Sequence, residues 1–204
     1  VSAGEFVPFA EQSGQIIPLG RIVIRTLACE MPTWLVGASA DFFVSVNLSV
    51  KELADVPLVD ELLGGGLSPH LDRLIVEVTE SLELQESSEA ERNLERLRAE
   101  GVRIAIDDFG AGFSNFTRLE HLRPSLIKID RSLVRRAGSE KEGGVAFLTA
   151  ATSVAASLKC DVVAEGVETQ AEAEVVQLLG IAYVQGFRYG QPGPIEEFRP
   201  EVVR

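Results

Sequence analysis

Six β-rich runs in this chain each end on a polar side chain that packing alone does not require. They are Asn47, Glu77, the adjacent pair Asp107 and Asp108, Lys128, Glu165 and Gln185. If these ends converge, carboxylates and amides share a space with a single ammonium. Repulsion in such a partly desolvated site calls for more positive charge than Lys128 supplies. Oxygen donors favour the hard cations Mg²⁺, Mn²⁺ or Ca²⁺ over zinc. The two histidines, His70 and His121, lie outside the strand ends, which argues against a histidine-ligated zinc. Two adjacent aspartates suit two metals, one carboxylate bridging while its neighbour binds the second ion. A close metal pair clamps the attacking and leaving oxygens of an in-line displacement at phosphorus.

The elements that must position these groups alternate along the chain. Strands are expected at 42–49, 74–81, 102–109, 125–130, 161–168 and 182–187. Helical patterns separate them. A short helix breaks at Ser13-Gly14, and an amphipathic helix runs from about Pro18 to Met31. A helical segment closes at Gly64-Gly65-Gly66. A charged helix over 87–101 carries Leu94 and Leu97 on one face and stops at Gly101. An apolar helix begins near Gly144, another covers 171–180, and a final short helix follows "GQPG". Strand–helix alternation with right-handed crossovers gives a parallel α/β sheet, either open and doubly wound or closed as a barrel. An open sheet spreads its strand ends along a line, whereas a barrel focuses them on one mouth. Polar groups at every strand end therefore favour the barrel. Residues two apart share a strand face, which pairs Ile75 with Glu77, Ala105 with Asp107, Leu126 with Lys128 and Val163 with Glu165.

Composition narrows the function classes. The 204 residues suit one domain whose core needs no disulfide staples. A formal net charge of −12 argues against a general nucleic-acid binder, which needs clustered Lys and Arg, but not against a small phosphate ligand held through metal ions. Cys29 and Cys160 sit in apolar stretches outside any CxxC pair and are expected to be buried free thiols, which suits a cytoplasmic protein. No run is apolar enough to span a membrane, and no signal peptide is visible.

The segments "EFVPFAEQSG", "VNLS", "EVTES", "IDDFGAGFSNF", "IKIDRSLV", "VVAEGVET" and "VQGF" occur in an order that resembles the EAL-domain cyclic di-GMP phosphodiesterases. The resemblance covers nearly the whole chain. It implies a modified TIM-type (β/α)8 barrel and metal-dependent hydrolysis of cyclic di-GMP to linear pGpG. By that resemblance Asn47 and Glu77 are ligands of one metal, Asp107 bridges, and Asp108 and Glu165 hold the second ion, with Mg²⁺ or Mn²⁺ as the cofactor. Lys128 resembles the residue that binds and orients, or helps deprotonate, the attacking water. Glu168 resembles the acid that anchors the loop after the aspartate pair. Gln185 resembles the polar residue at the last strand, near the metals and water, and is a candidate for binding substrate. Asp130 shares a face with Lys128 and is a candidate for lining the substrate site, while its place before "RSLV" also suits a helix cap. Glu80 reads as a loop or capping residue, Arg131, Arg135 and Arg136 as a solvated face, and Phe109, Phe113 and Phe116 as packing.

One departure is large. The family's Glu-Ala-Leu signature, with its metal-ligating glutamate, does not occur here. About six of the eight strands are therefore expected in this chain, 1–204, as a single domain lacking its first strands. Open edges and weakened metal binding are the expected consequences. A homodimer, and upstream sensory or GGDEF-type domains in a longer parent, are further expectations from the resemblance. A non-hydrolysing cyclic di-GMP receptor, an inactive remnant and an unrelated metal-dependent barrel enzyme are the alternatives.

Overall fold

The computed structural model describes residues 3–79, 88–111, 116–139 and 143–194. Six strands appear where the sequence places them: β1 Val44–Asn47, β2 Leu74–Thr79, β3 Arg103–Phe109, β4 Leu126–Ile129, β5 Asp161–Ala164 and β6 Tyr183–Val184. All but β2, whose expected end lies outside the described residues, are shorter than expected. They form one sheet in sequential order, so β1 and β6 are its edges among the described residues. The pairs β3–β4, β4–β5 and β5–β6 are parallel, as helical crossovers require. Two compact units share the chain. One takes the chain up to Val76 and the segment ending at Arg103; the other takes Glu77 onward in β2 and the chain from Ile104.

The first unit carries α1 Ala3–Ser13, α2 Ile16–Trp34, β1, α3 Val50–Ala54, α4 Val56–Leu63, a 3-10 segment Gly65–Arg73 and α5 Glu89–Ala99. The single helical segment expected before Gly64 is thus two short helices. Asp55 divides them, ending α3 and capping α4 by accepting from the Leu58 N–H at 2.8 Å. Helix α2 begins two residues before Pro18, which sits in the first turn, where a missing N–H leaves no bond unmade. Its inner face is Gly20, Ile24, Leu27 and Met31. Cys29 lies two residues from both Leu27 and Met31 and so faces away from them. It is exposed, and Cys160 is only half-buried, so the expected burial of both thiols does not hold, although both are free. Leu94 and Leu97 of α5 are buried as expected, with Leu53, Leu58 and Leu62 also fully enclosed in this unit. Each such side chain stabilises the fold by about 1.5–3 kcal/mol. Buried Asn93 is satisfied by donating to the Leu53 carbonyl at 2.8 Å.

The second unit carries the rest of the sheet with α6 Phe116–Leu122, α7 Arg131–Gly138, α8 Gly144–Leu158 and α9 Gln170–Leu178. Ile104, Ile106, Ile127, Ile129, Leu148 and Val176 fill its core. Helix α7 packs against both α8 and α9, and small residues permit the approach. A Cβ on Gly144 would stand 2.3 Å from the Arg136 carbonyl oxygen, and one on Gly138 would stand 2.5 Å from Glu172 Cγ. The final short helix expected after "GQPG" lies largely outside the described residues, as do Glu80 and Phe113. No helix among the described residues is long and apolar enough to cross a membrane.

Beyond the short β6, the chain is fastened back onto the loop after β5. The Val167 N–H donates to the Gln185 carbonyl at 3.0 Å, and the Arg188 N–H donates to the Val167 carbonyl at 3.2 Å. Gly186 sits between these bonds, where a Cβ would lie 2.2 Å from the Val167 oxygen and 2.3 Å from its nitrogen. Backbone cannot yield as a flexible side chain can. Gly186→Ala is therefore expected to lower stability by about 1–3 kcal/mol, read as a fall in the urea midpoint with an unchanged slope.

Candidate functional site

The site begins with an irregularity in β3. Its register with β4 runs Ala105 to Leu126 and Ile106 to Ile127, then jumps to Phe109 with Ile129. Asp107 and Asp108 together therefore face the single residue Lys128, which is a β-bulge. Asp108 takes the extra place with φ 56°, a left-handed conformation that aspartate tolerates better than most residues. In a regular strand the two carboxylates would point to opposite faces. With the bulge, one oxygen each from Asp107, Asp108 and Glu165 lie within 4.8 Å of one another. The sequence showed adjacent acids; the bulge explains how neighbours reach the same place.

Backbone bonds continue past the strand ends and hold the rim in position. The Asp130 N–H donates to the Phe109 carbonyl, the Glu165 N–H to Ile129 and the Gln185 N–H to Ala164 at 3.1, 3.1 and 2.9 Å. Gly166 then turns the chain at φ 65°, where a Cβ would press to 2.4 Å from that of Arg131. Glycine alone satisfies both demands. Behind this turn, Thr169 and Glu172 form a capping box at the start of α9. The Glu172 carboxylate accepts from the N–H groups of Glu168 and Thr169 at 2.8 and 2.9 Å. Burial opposes the Glu172 charge, but those bonds prevail and hold its carboxyl below the usual glutamate range. This fastening was readable as T-x-x-E before an apolar run, yet was missing from the expected site.

Lys128 stands at the centre. Its Nζ is 2.8 Å from Glu77 Oε2, 2.8 Å from Asp107 Oδ1 and 2.7 Å from Glu165 Oε1. The side chain is 8% exposed. An ammonium has three N–H donors, and each has a carboxylate acceptor here. Burial pushes against its charge, but the bonds to Asp107, Glu165 and Glu77 outweigh it and hold its pKa above the ordinary lysine value. Lys128 is therefore charged at neutral pH. Glu165 is pushed up by burial, which the Lys128 contact offsets only in part. Asp108 is raised by burial and by the charges of Asp107 and Asp130, with Lys128 and Arg131 pulling the other way.

Of the residues expected from the sequence, the structure gathers Glu77, Asp107, Asp108, Lys128 and Glu165. Asn47 ends β1 in the first unit and is exposed. Gln185 and Glu168 are exposed, and the loop that Glu168 is expected to anchor includes residues outside the described set. Asp130 caps α7, accepting from the Ser132 N–H at 2.9 Å. Arg131, Arg135 and Arg136 are solvated and Phe109 is buried, as expected. The clustered oxygens match what a hard divalent cation requires: several carboxylate donors at short separation, without histidine or thiolate.

The EAL-domain family model matches residues 1–192. The chain belongs to the EAL-domain family. It is 37% identical over its whole length to the bifunctional diguanylate cyclase/cyclic di-GMP phosphodiesterase MucR of Pseudomonas aeruginosa, covering 30% of that protein. It is 33% identical to the probable cyclic di-GMP phosphodiesterase PdeD of Escherichia coli, with 97% of the chain covering 36% of that protein. The chain thus spans about a third of these relatives. Among solved structures, the MucR phosphodiesterase in complex with c-di-GMP is similar at a TM-score of 0.86 and 37% identity, over 97% of this chain and 80% of that one. The EAL enzyme Bd1971, with cAMP and cyclic di-GMP bound, is similar at a TM-score of 0.86 and 28% identity, over 96% of this chain and 54% of that one. The EAL membership and these likenesses support the TIM-type barrel class expected from the strand–helix alternation.

The arrangement around Lys128 predicts a strong and directional effect. Lys128→Met leaves three carboxylates without their shared cation, and stability at pH 7 in chelator is expected to fall by about 3–5 kcal/mol. Glu165, whose carboxyl is already pushed up by burial, takes a proton more readily as pH falls and relieves part of the repulsion, so the deficit against the unsubstituted protein should shrink. Urea titrations at pH 7 and pH 5 check both. Asp108→Asn, which keeps tolerance of the left-handed backbone and removes a raised carboxylate, should leave the protein at least as stable at pH 7.

Proposed function

We propose that this EAL domain, comprising 1–204, hydrolyses cyclic di-GMP to linear pGpG with divalent metal ions, Mg²⁺ or Mn²⁺. The observation that carries this reading is the oxygen cluster of Asp107, Asp108 and Glu165, formed by a bulge in a chain 37% identical to MucR. Asp107, Asp108 and Glu165 would hold metal, with Asp107 as the shared ligand and Glu77 as a further carboxylate; Asn47 is proposed as a ligand on the family resemblance alone. Metal bound there supplies Lewis-acid stabilisation of phosphate oxygens and acidifies water.

The remaining residues act around that centre. Lys128 is charged, so it is suited to orient water or phosphate through an N–H released from its carboxylates rather than to accept a proton. Water attacks one phosphorus, the P–O3′ bond breaks, and the released 3′ oxygen takes up a proton. Gln185 and Asp130, the residues that follow β6 and β4, are the proposed substrate contacts. Glu168, on the loop fastened by Glu172, serves to anchor the segment after the aspartate pair. MucR and PdeD are much longer than this chain, which supports a parent protein with further domains. The proposed module is a cytoplasmic homodimer regulated by those domains.

The test is product formation from cyclic di-GMP by the full-length protein carrying this domain, followed by chromatography with Mn²⁺, with Mg²⁺ and with chelator. Linear pGpG should appear with metal and cease with chelator. Asp107→Asn and Glu165→Gln should each reduce turnover by about 100-fold or more. Tight binding of cyclic di-GMP without hydrolysis under saturating metal would instead make the domain a receptor.

A further inference from the structure

The oxygens that Lys128 engages belong to the residues that the proposed reaction needs for metal. Glu77, Asp107 and Glu165 come from β2, β3 and the end of β5, and a single buried ammonium touches all three within 2.8 Å. Asp107 and Glu165 are also members of the carboxylate cluster that fits a divalent cation. We propose that Lys128 is the site's internal counter-ion, an ammonium that competes with the incoming divalent cation for shared carboxylates and becomes available to water or phosphate only when that cation takes them over. This inference rests on the metal-dependent reading of the site.

Three features carry it. The first is saturation: each N–H of Lys128 has a carboxylate acceptor, so orienting a water or phosphate oxygen requires one of those bonds to break. The second is charge. Four acids, Glu77, Asp107, Asp108 and Glu165, converge on one ammonium, which offsets their repulsion and holds strands β2, β3 and β5 together at the rim. A divalent cation supplies more charge at the same oxygens and repels the ammonium at close range. The third is seclusion. A side chain 8% exposed cannot swing freely into solvent, so a displaced ammonium stays beside the acids it leaves. Metal loading then both assembles the ligand set and frees a donor next to it, which orders the events: cation first, Lys128 second, substrate chemistry third.

Two measurements test this without relying on turnover. Mn²⁺ binding is measured by electron paramagnetic resonance on the protein as isolated and on Lys128→Met and Lys128→Arg, with Mn²⁺ alone as the probe. If Lys128 competes, Lys128→Met binds Mn²⁺ at least about tenfold more tightly, whereas Lys128→Arg, which keeps a cation, stays near the starting affinity. Equal or weaker binding by Lys128→Met overturns the proposal. Absence of Mn²⁺ binding in every form overturns the metal-dependent reading as well. Should Lys128→Met not fold in chelator, the unsubstituted protein labelled with ¹⁵N-lysine decides. The Lys128 ammonium resonance should be protected from exchange in chelator and should shift and exchange faster on adding Mg²⁺. An ammonium signal unmoved by saturating Mg²⁺ overturns the proposal.

Discussion

A buried ammonium held by three carboxylates is a demanding arrangement. Each charge is costly to remove from water, and mutual attraction offsets that only when every donor and acceptor is well placed. Here Glu77, Asp107 and Glu165 are each delivered by a different strand, and Lys128 meets them at nearly equal distances. The position of β2, β3 and β5 around β4 therefore matters to one another's electrostatics as well as to packing. A hydrophobic substitute at 128 would fill the space without balancing the acids. The choice of lysine in an otherwise buried strand, with Leu126, Ile127 and Ile129 around it, reflects the demands of chemistry on the core.

The bulge in β3 depends on the same contact. Two aspartates opposite one lysine place more negative charge against that ammonium than a regular ladder would. The left-handed backbone at Asp108 is the local cost, of order 1–2 kcal/mol for a non-glycine residue. Further bonds from the chain beyond β4, β5 and β6 extend the ladder at the site's rim, and the capping box of α9 secures the loop after Glu165. Stability supplied by these hydrogen bonds offsets strain and repulsion concentrated at the acids.

Much of this was legible in the chain. Polar residues ending four of the β-rich runs, Glu77, Asp107 with Asp108, Lys128 and Glu165, marked the groups that the structure gathers. Leu94 and Leu97 marked the inner face of α5 by helical spacing, and Asp130 before "RSLV" marked a cap. The bulge was not legible. Nothing in "AIDDF" distinguishes an aspartate in a regular strand from one in a left-handed position, since that depends on the pairing with Lys128. The cysteines were misjudged because apolar neighbours in sequence need not share a helix face: Cys29 has Leu27 and Met31 two residues away, and helical rotation turns it outward. Pro18 was read as a helix start when it lies within the first turn, a distinction of two residues that composition does not resolve.

The register of β3 carries a consequence for how such a domain changes over generations. Phe109 pairs with Ile129 because the bulge absorbs one residue. Loss of a single codon at the aspartate pair would let the phenylalanine meet the same partner through an unbroken ladder. The hydrophobic core would keep its pairing, while the site would forfeit one of its adjacent acids. A frame-preserving deletion of one residue would thus remove an acid from the cluster while leaving the pairing of the core intact. The sheet keeps that simpler, regular alternative within one residue of its present form.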